Sequence, residues 1–106
     1  MKPLTKIQKS ARGESCTLMI PGVCNGNPET TVLCHAPHPD KGTGIKGPDS
    51  WAAYGCSSCH DEMDGRTHLF FIEHSFFTIR LQKAATWYVS ICETQRILIK
   101  KGLLHD

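Results

Sequence analysis

Two pairs of cysteines, far apart in a short chain, constrain this sequence more than anything else in it. Cys16 and Cys24 flank a Pro21-Gly22 turn in "CTLMIPGVC", and Cys56 and Cys59 form a C-x-x-C in "GCSSCHDEMDGRTH". Paired thiols from distant segments can close on one tetrahedral ion, and four thiolates leave no open position, which makes such a site structural. Thiolate is a soft ligand that suits zinc. Binding of zinc to small modules is worth about 10–16 kcal/mol, as much as the whole stability of an ordinary domain, about 5–15 kcal/mol. A chain of 106 residues fits one domain with a modest core, so one such ion would hold its turn-rich front together. Cys34 is a substitute ligand. Cys92 lies on a helical stripe and reads as an inert core thiol.

Other uses of C-x-x-C-H fit less well. Covalent haem attachment goes with export, and the opening "MKPLTKIQKS" has no apolar signal core. A redox dithiol wants a βαβ pattern around it, which is missing. No apolar run approaches a membrane span. The expectation is a cytoplasmic protein with reduced cysteines.

With 40% hydrophobic and 21% charged residues the chain reads as globular, and its net charge of +2 is too small to name a partner. The distribution says more. Residues 1–13 hold Lys2, Lys6, Lys9 and Arg12 without an acid, as a basic arm lying on phosphates would. We read 14–106 as one domain behind this arm. Residues 16–24 look like a strand, a turn and a return. "TTVLCHA" reads as a strand ending at His35, and "WAAYGC" as a second. Between them lies a long loop rich in Gly and Pro. A helix capped by Ser57 or Ser58 should stop near Gly65. A helical pattern resumes near residue 67 and runs to about 101. Its stripe of Phe77, Leu81, Ala84, Ala85, Tyr88 and Cys92 is the expected core face.

On the helix after Cys59, His60 and Asp64 stand four apart on one face, with His68 on the same face if the helix continues. An imidazole and a carboxylate at that spacing can hold a divalent ion with positions left open for a ligand. His35, ending its strand, would face that ion. Imidazole takes a proton from water near neutral pH, and an ion with open positions binds a phosphodiester oxygen. The same acids, Asp61, Glu62 and Asp64, also suit a helical first turn without any metal.

The stretches "ARGESCTLMIPGVCNGNPETTVLCHA", "GTGIKGPD" and "CSSCHDEMDGRTH" resemble the YbcO-like nuclease family of prophages, over about residues 8–70. The arrangement is also similar to HNH (ββα-metal) endonucleases, with a distant likeness to phage recombination-enhancement (Ref-type) nucleases. The resemblance implies a small α+β zinc-bound domain with a C-terminal helical segment. It implies His35 as general base, His60 and Asp64 as ligands of a catalytic Mg²⁺, Mn²⁺ or Zn²⁺, and Cys16, Cys24, Cys56 and Cys59 as ligands of a structural zinc. Cys34 stands where such enzymes carry Asp or His, with His38 and His68 as replacements. Asp49 takes the place of their central Asn. Catalysis would then rest on His35, Asp49 and His60, and DNA contact on Lys6, Lys9, Arg12, Lys41, Lys46 and Arg66. A phage or host recombination protein is the expected protein partner. The alternative is a zinc-dependent DNA- or protein-binding module without catalysis.

Overall fold

In the computed structural model, which describes residues 4–37, 48–71 and 76–104, a two-stranded antiparallel sheet separates two small cores. Helix α1 (Lys6–Ser10) opens the chain, and a 3-10 turn (Pro28–Thr30) leads into β1 (Val32–His35). Strand β2 (Ala52–Gly55), α2 (Ser57–Met63) and the long α3 (Phe76–Lys100) follow. The result is an α+β domain with a C-terminal helix. Among the described residues no helix is long and apolar enough to cross a membrane.

Alternation along the strands assigns side chains to the cores. Cys34 pairs with Ala53, and both enter a core with Cys16, Leu18, Ile20, Cys56, Cys59, Met63, Phe71, Trp87 and Ile91. Leu33 pairs with Tyr54, and both enter the opposite core with Ala11, Ala52 and Leu98. Of residues 1–13, read as a basic arm, the described part carries α1, whose Ile7 packs on the second core and whose C-cap Ala11 is fully buried. A Thr5/Gln8 capping box starts that helix. Gly55 is where sheet and first core meet most closely: a Cβ there would lie 2.6 Å from Leu18 Cδ1 and 2.8 Å from Cys34 Sγ.

Four local expectations are corrected. Residues 16–24 form no strand; the amides of Val23 and Cys24 donate to the Ile20 carbonyl, and Met19 takes a φ of 44°, so the segment coils on itself. Helix α2 is capped by the Cys56 sulfur, which accepts the Cys59 amide, rather than by a serine. It ends at Met63, with Gly65 in the left-handed region (φ 79°), so His68 does not continue its face. Residues 67–71 are not helical, and the next helix among the described residues is α3, from Phe76. The reason lies in Glu62, whose carboxylate accepts the amides of Leu69, Phe70 and Phe71 and the Thr67 hydroxyl and thereby holds 67–71 in a non-helical return.

The largest correction concerns α3. Leu81, Ala84, Ala85, Tyr88 and Cys92 face outward, Tyr88 being 67% exposed. The buried line is Trp87, Ser90, Ile91, Thr94 and Leu98. Ser90 and Thr94 are buried because they hydrogen-bond backbone beneath the helix: Ser90 Oγ donates to the carbonyl of Thr17 in the coil at 3.0 Å, and the Tyr54 amide of β2 donates to Thr94 Oγ1 at 3.0 Å. This satisfies the free edge of β2, an amide that would otherwise be an unpaired buried donor. The side chain of Phe77 lies outside the described residues.

Candidate metal centre and basic groove

The ligand atoms of Cys16, Cys24, Cys56 and Cys59 all lie within 4.8 Å of one another, so these four thiols can hold a metal ion. A tetrahedron with metal–sulfur bonds of about 2.3 Å has edges of about 3.8 Å; Cys24 Sγ and Cys56 Sγ are 3.9 Å apart. Two similar knuckles build the cluster. The Met19 amide donates to Cys16 Sγ, and the Cys59 amide to Cys56 Sγ, both at 3.4 Å. N–H groups aimed at sulfur favour thiolate over thiol. A hydrogen bond from Cys59 holds the Cys16 thiol down at about 4, and the same contact pushes Cys59 up. The shared contact therefore favours one negative sulfur in the Cys16–Cys59 pair. Cys34 stands apart from the four. It is fully buried, its thiol is pushed up chiefly by that burial, and Sγ points toward the carbonyls of Val32 and Gly55. Those surroundings suit a neutral thiol.

The histidines and acids form two separate pairs. His35 Nε2 and Asp49 Oδ1 are 2.7 Å apart, with both side chains largely shielded. The other Asp49 oxygen accepts a 2.6 Å bond from the hydroxyl of Thr5, the N-cap of α1. With Nε2–H donated to the carboxylate, Nδ1 keeps the ring's lone pair. His60 Nε2 and Asp64 Oδ2 are 3.2 Å apart on α2, and Arg66 reaches both Asp64 (3.4 Å) and Asp61 (3.1 Å). Register places His35, opposite Ala52, on the α1 side of the sheet, while α2 packs by Cys59 and Met63 on the other. Among the described residues, the four cysteines are the one group of three or more such side chains close enough to share an ion. The His35–Asp49 and His60–Asp64 pairs do not combine into a second.

Of the basic residues, Lys6, Lys9 and Arg12 are exposed on and just after α1 and make no ion pair among the described residues. Lys9 and Arg12 border a groove of about 490 Å³ that has His35 in its wall. Arg66 is already paired, and His68 is exposed. Lys41, Lys46 and His38 lie outside the described residues.

Thr5 is absent from the sequence reading, and Glu62 enters it only as an acid suited to a helical first turn, although the first turn of α2 has no acid. Thr5 was legible as the first member of Thr-x-x-Gln, a helix-start signature. Glu62 had a fainter signal: it lies on the face of α2 shared by Cys59 and Met63, so it had to be inside. It is fully buried. Burial alone would raise its pKa, but the Thr67 hydroxyl and the amides of Leu69, Phe70 and Phe71 overrule this and hold it at about 2.

Comparison with known proteins agrees with this architecture. The family model described as "Putative nuclease YbcO" matches residues 5–102. The protein of that name from Escherichia coli (strain K12) is 54% identical over 66 residues, covering 61% of this chain and 69% of its own length. The "Putative nuclease ybcO" of Enterobacteria phage 82 matches to the same extent. Among solved structures, "Structure of a putative bacteriophage protein from Escherichia coli str. K-12 substr. MG1655" superposes with a TM-score of 0.67 at 39% identity, over 92% of this chain and all of that one. With a family match spanning nearly its whole length, the chain belongs to the YbcO family.

Proposed function

We propose that this protein is a nuclease, and more specifically a metal-dependent DNA endonuclease of the HNH (ββα-metal) type. The observation that carries the reading is His35. It ends a strand, is oriented by Asp49 at 2.7 Å, and lines a groove bordered by Lys9 and Arg12. Family members bearing the name of a nuclease support the general level of the claim.

In this reading Cys16, Cys24, Cys56 and Cys59 hold a structural zinc, as their sulfur tetrahedron suits. His60 and Asp64 would hold a divalent ion on the other face of the sheet from His35, so a strand cut at His35 has to reach round the sheet to meet it. The 3.2 Å separation of that pair is near the edge, about 3 Å, of an octahedron with 2.1 Å bonds. Bound there, such an ion would supply charge stabilisation to whichever phosphate oxygens the strand brings to it. The chain's own residues do the rest. Asp49 fixes the ring and the tautomer of His35 by accepting from Nε2–H. His35 Nδ1 takes a proton from water as its oxygen bonds to phosphorus, and the phosphorus–oxygen bond to the departing nucleotide breaks. Thr5 holds Asp49 in place. Lys6, Lys9 and Arg12, with Lys46 and Arg66, neutralise phosphates along the strand.

Purified protein with Mg²⁺, Mn²⁺ or Zn²⁺ should nick supercoiled plasmid. His35→Ala should lower the rate by about 10²–10⁴-fold while DNA binding persists. An unchanged rate in His35→Ala, or no cleavage with any of the three ions, would defeat the enzyme reading. The second reading, a zinc-dependent DNA- or protein-binding module, is favoured by one observation: the Asp64 carboxylate is shared between His60 and Arg66. A protein that binds DNA and never cuts it would establish that reading instead.

A further inference from the structure

We propose that the groove between α1 and β1 is a subsite for one unpaired nucleotide of a single DNA strand, seated beside His35. The inference rests on the nuclease reading for what happens at His35, and adds the form of the substrate.

Three features of the groove point to this occupant. The first is charge. Lys9 and Arg12 border it, and no acid lines it among the described residues, so it suits a phosphate backbone. The second is an apolar floor set between those cations. Leu4 and Val32 line the groove and are 55% and 44% exposed. A duplex keeps the faces of its bases stacked away and offers base edges, sugars and phosphates. Such a surface would gain little from Leu4 and Val32. An unpaired base has two free faces. Single-strand sites pair a cationic track with aromatic platforms under the bases, and a flipped-out base is also held between aromatic or apolar side chains, the part Leu4 and Val32 would take. The volume, about 490 Å³, is within the range of small-molecule pockets, roughly 300–1,000 Å³, and fits a nucleotide.

The third feature is Thr31. It lines the groove, is only 3% exposed, and its hydroxyl has no hydrogen-bond partner among the described residues. Buried hydroxyls are nearly always satisfied. A sugar oxygen or base edge in the groove would supply the missing partner. The His35 ring, lining the same groove, would then adjoin the phosphate next to the seated nucleotide.

The test uses the full chain and fluorescence anisotropy without added divalent ion, on a labelled 12-nucleotide oligothymidine and a hairpin duplex of matching charge. The single strand should bind at least tenfold more tightly. Arg12→Ala should weaken it about tenfold and flatten the plot of log affinity against log salt by about 0.7. Thr31→Val, near-isosteric, should cost about threefold. Val32→Asp should abolish strand binding, with a melting curve to check folding; Val32→Ser serves if it does not fold. Equal or tighter duplex binding, or variants that bind the strand like the parent, would overturn the subsite. If plasmid is still nicked in that case, the nuclease reading survives alone. If no ion supports cleavage but strand selectivity and its loss in Arg12→Ala are seen, the subsite stands and the nuclease reading falls.

Discussion

The two faces of the small sheet are closed by different physics. On one side four thiols converge within 4.8 Å, surrounded by coil and a short helix. On the other, Ala11, Leu33, Ala52, Tyr54 and Leu98 pack without any ionisable ligand cluster. On the proposed reading the first face adds an ion to the packing of Leu18, Ile20, Met63, Phe71, Trp87 and Ile91, because the coil at 16–24 has little regular structure to hold it. The second depends on burial of apolar area, which scales with the side chains present. The difference teaches that a sheet of two short strands, marginal by itself, can be stabilised by packing on both sides with a thiol cluster able to bind an ion on one of them. Helix α3 spans the two, through Trp87 and Ile91 on the thiol face and Leu98 on the apolar one.

The comparison can be broken first at Cys56. Cys56→Ser removes one ligand, although its hydroxyl can still cap α2, and should abolish tight metal binding and unfold residues 16–24 and α2. The loss should exceed about 5 kcal/mol, comparable to total domain stability. A cooperative melt unchanged from the parent, read by circular dichroism with metal analysis, would refute it. Leu98→Ala attacks the other face. It should cost about 2–5 kcal/mol through its cavity and leave metal content unaltered; loss of metal in that variant would show that the faces are not separable.

Glu62 sharpens the comparison, since it anchors the return at 67–71 that delivers Phe71 to the thiol face. Its folded pKa, about 2, lies below the ordinary 4.5. The unfolded chain therefore binds the proton more readily, so the carboxylate's contribution is complete above pH 4.5 and is lost as pH falls toward 2. The span corresponds to about 3 kcal/mol. Urea melts between pH 6 and 3 should show this decline in the parent and a shallower one in Glu62→Gln. Parallel curves would exclude the role. The smallest effect is at Met19, whose left-handed φ of 44° costs a side-chain-bearing residue about 1 kcal/mol. Met19→Gly should stabilise the thiol face by up to about that amount, measured by the denaturation midpoint; a destabilised variant would mean the Met19 side chain contributes packing despite its 68% exposure.

The thiol face was legible in the sequence and the apolar face was not. Cysteine chemistry is specific, so Cys16, Cys24, Cys56 and Cys59 could be grouped from residue type alone, and strands at 32–35 and 52–55 followed from their β-branched and apolar runs. Position on α3 was misread because hydrophobicity ranks Leu81 and Tyr88 above Ser90 and Thr94. The fold instead buries the two hydroxyls, which complete hydrogen bonds to β2 at Tyr54 and to the coil at Thr17 that no pattern in α3 itself announces. The segment 16–24 was misread as a hairpin because a Pro-Gly turn between apolar residues looks the same whether strands or sulfur knuckles flank it. At the candidate site, Asp49 was placed by resemblance, and its contact with His35 across the strand-to-strand loop depends on a tertiary approach. The Thr5 bond to Asp49 joins residues 44 positions apart, beyond any local signal.

X-ray absorption at the zinc edge of the purified protein, with metal quantified per chain, tests the thiol-bound ion most directly. The account predicts at least one zinc per chain, with a shell of four sulfurs at about 2.3 Å, lost in Cys56→Ser. A first shell of nitrogen and oxygen alone, or a folded protein that carries no metal, would contradict it.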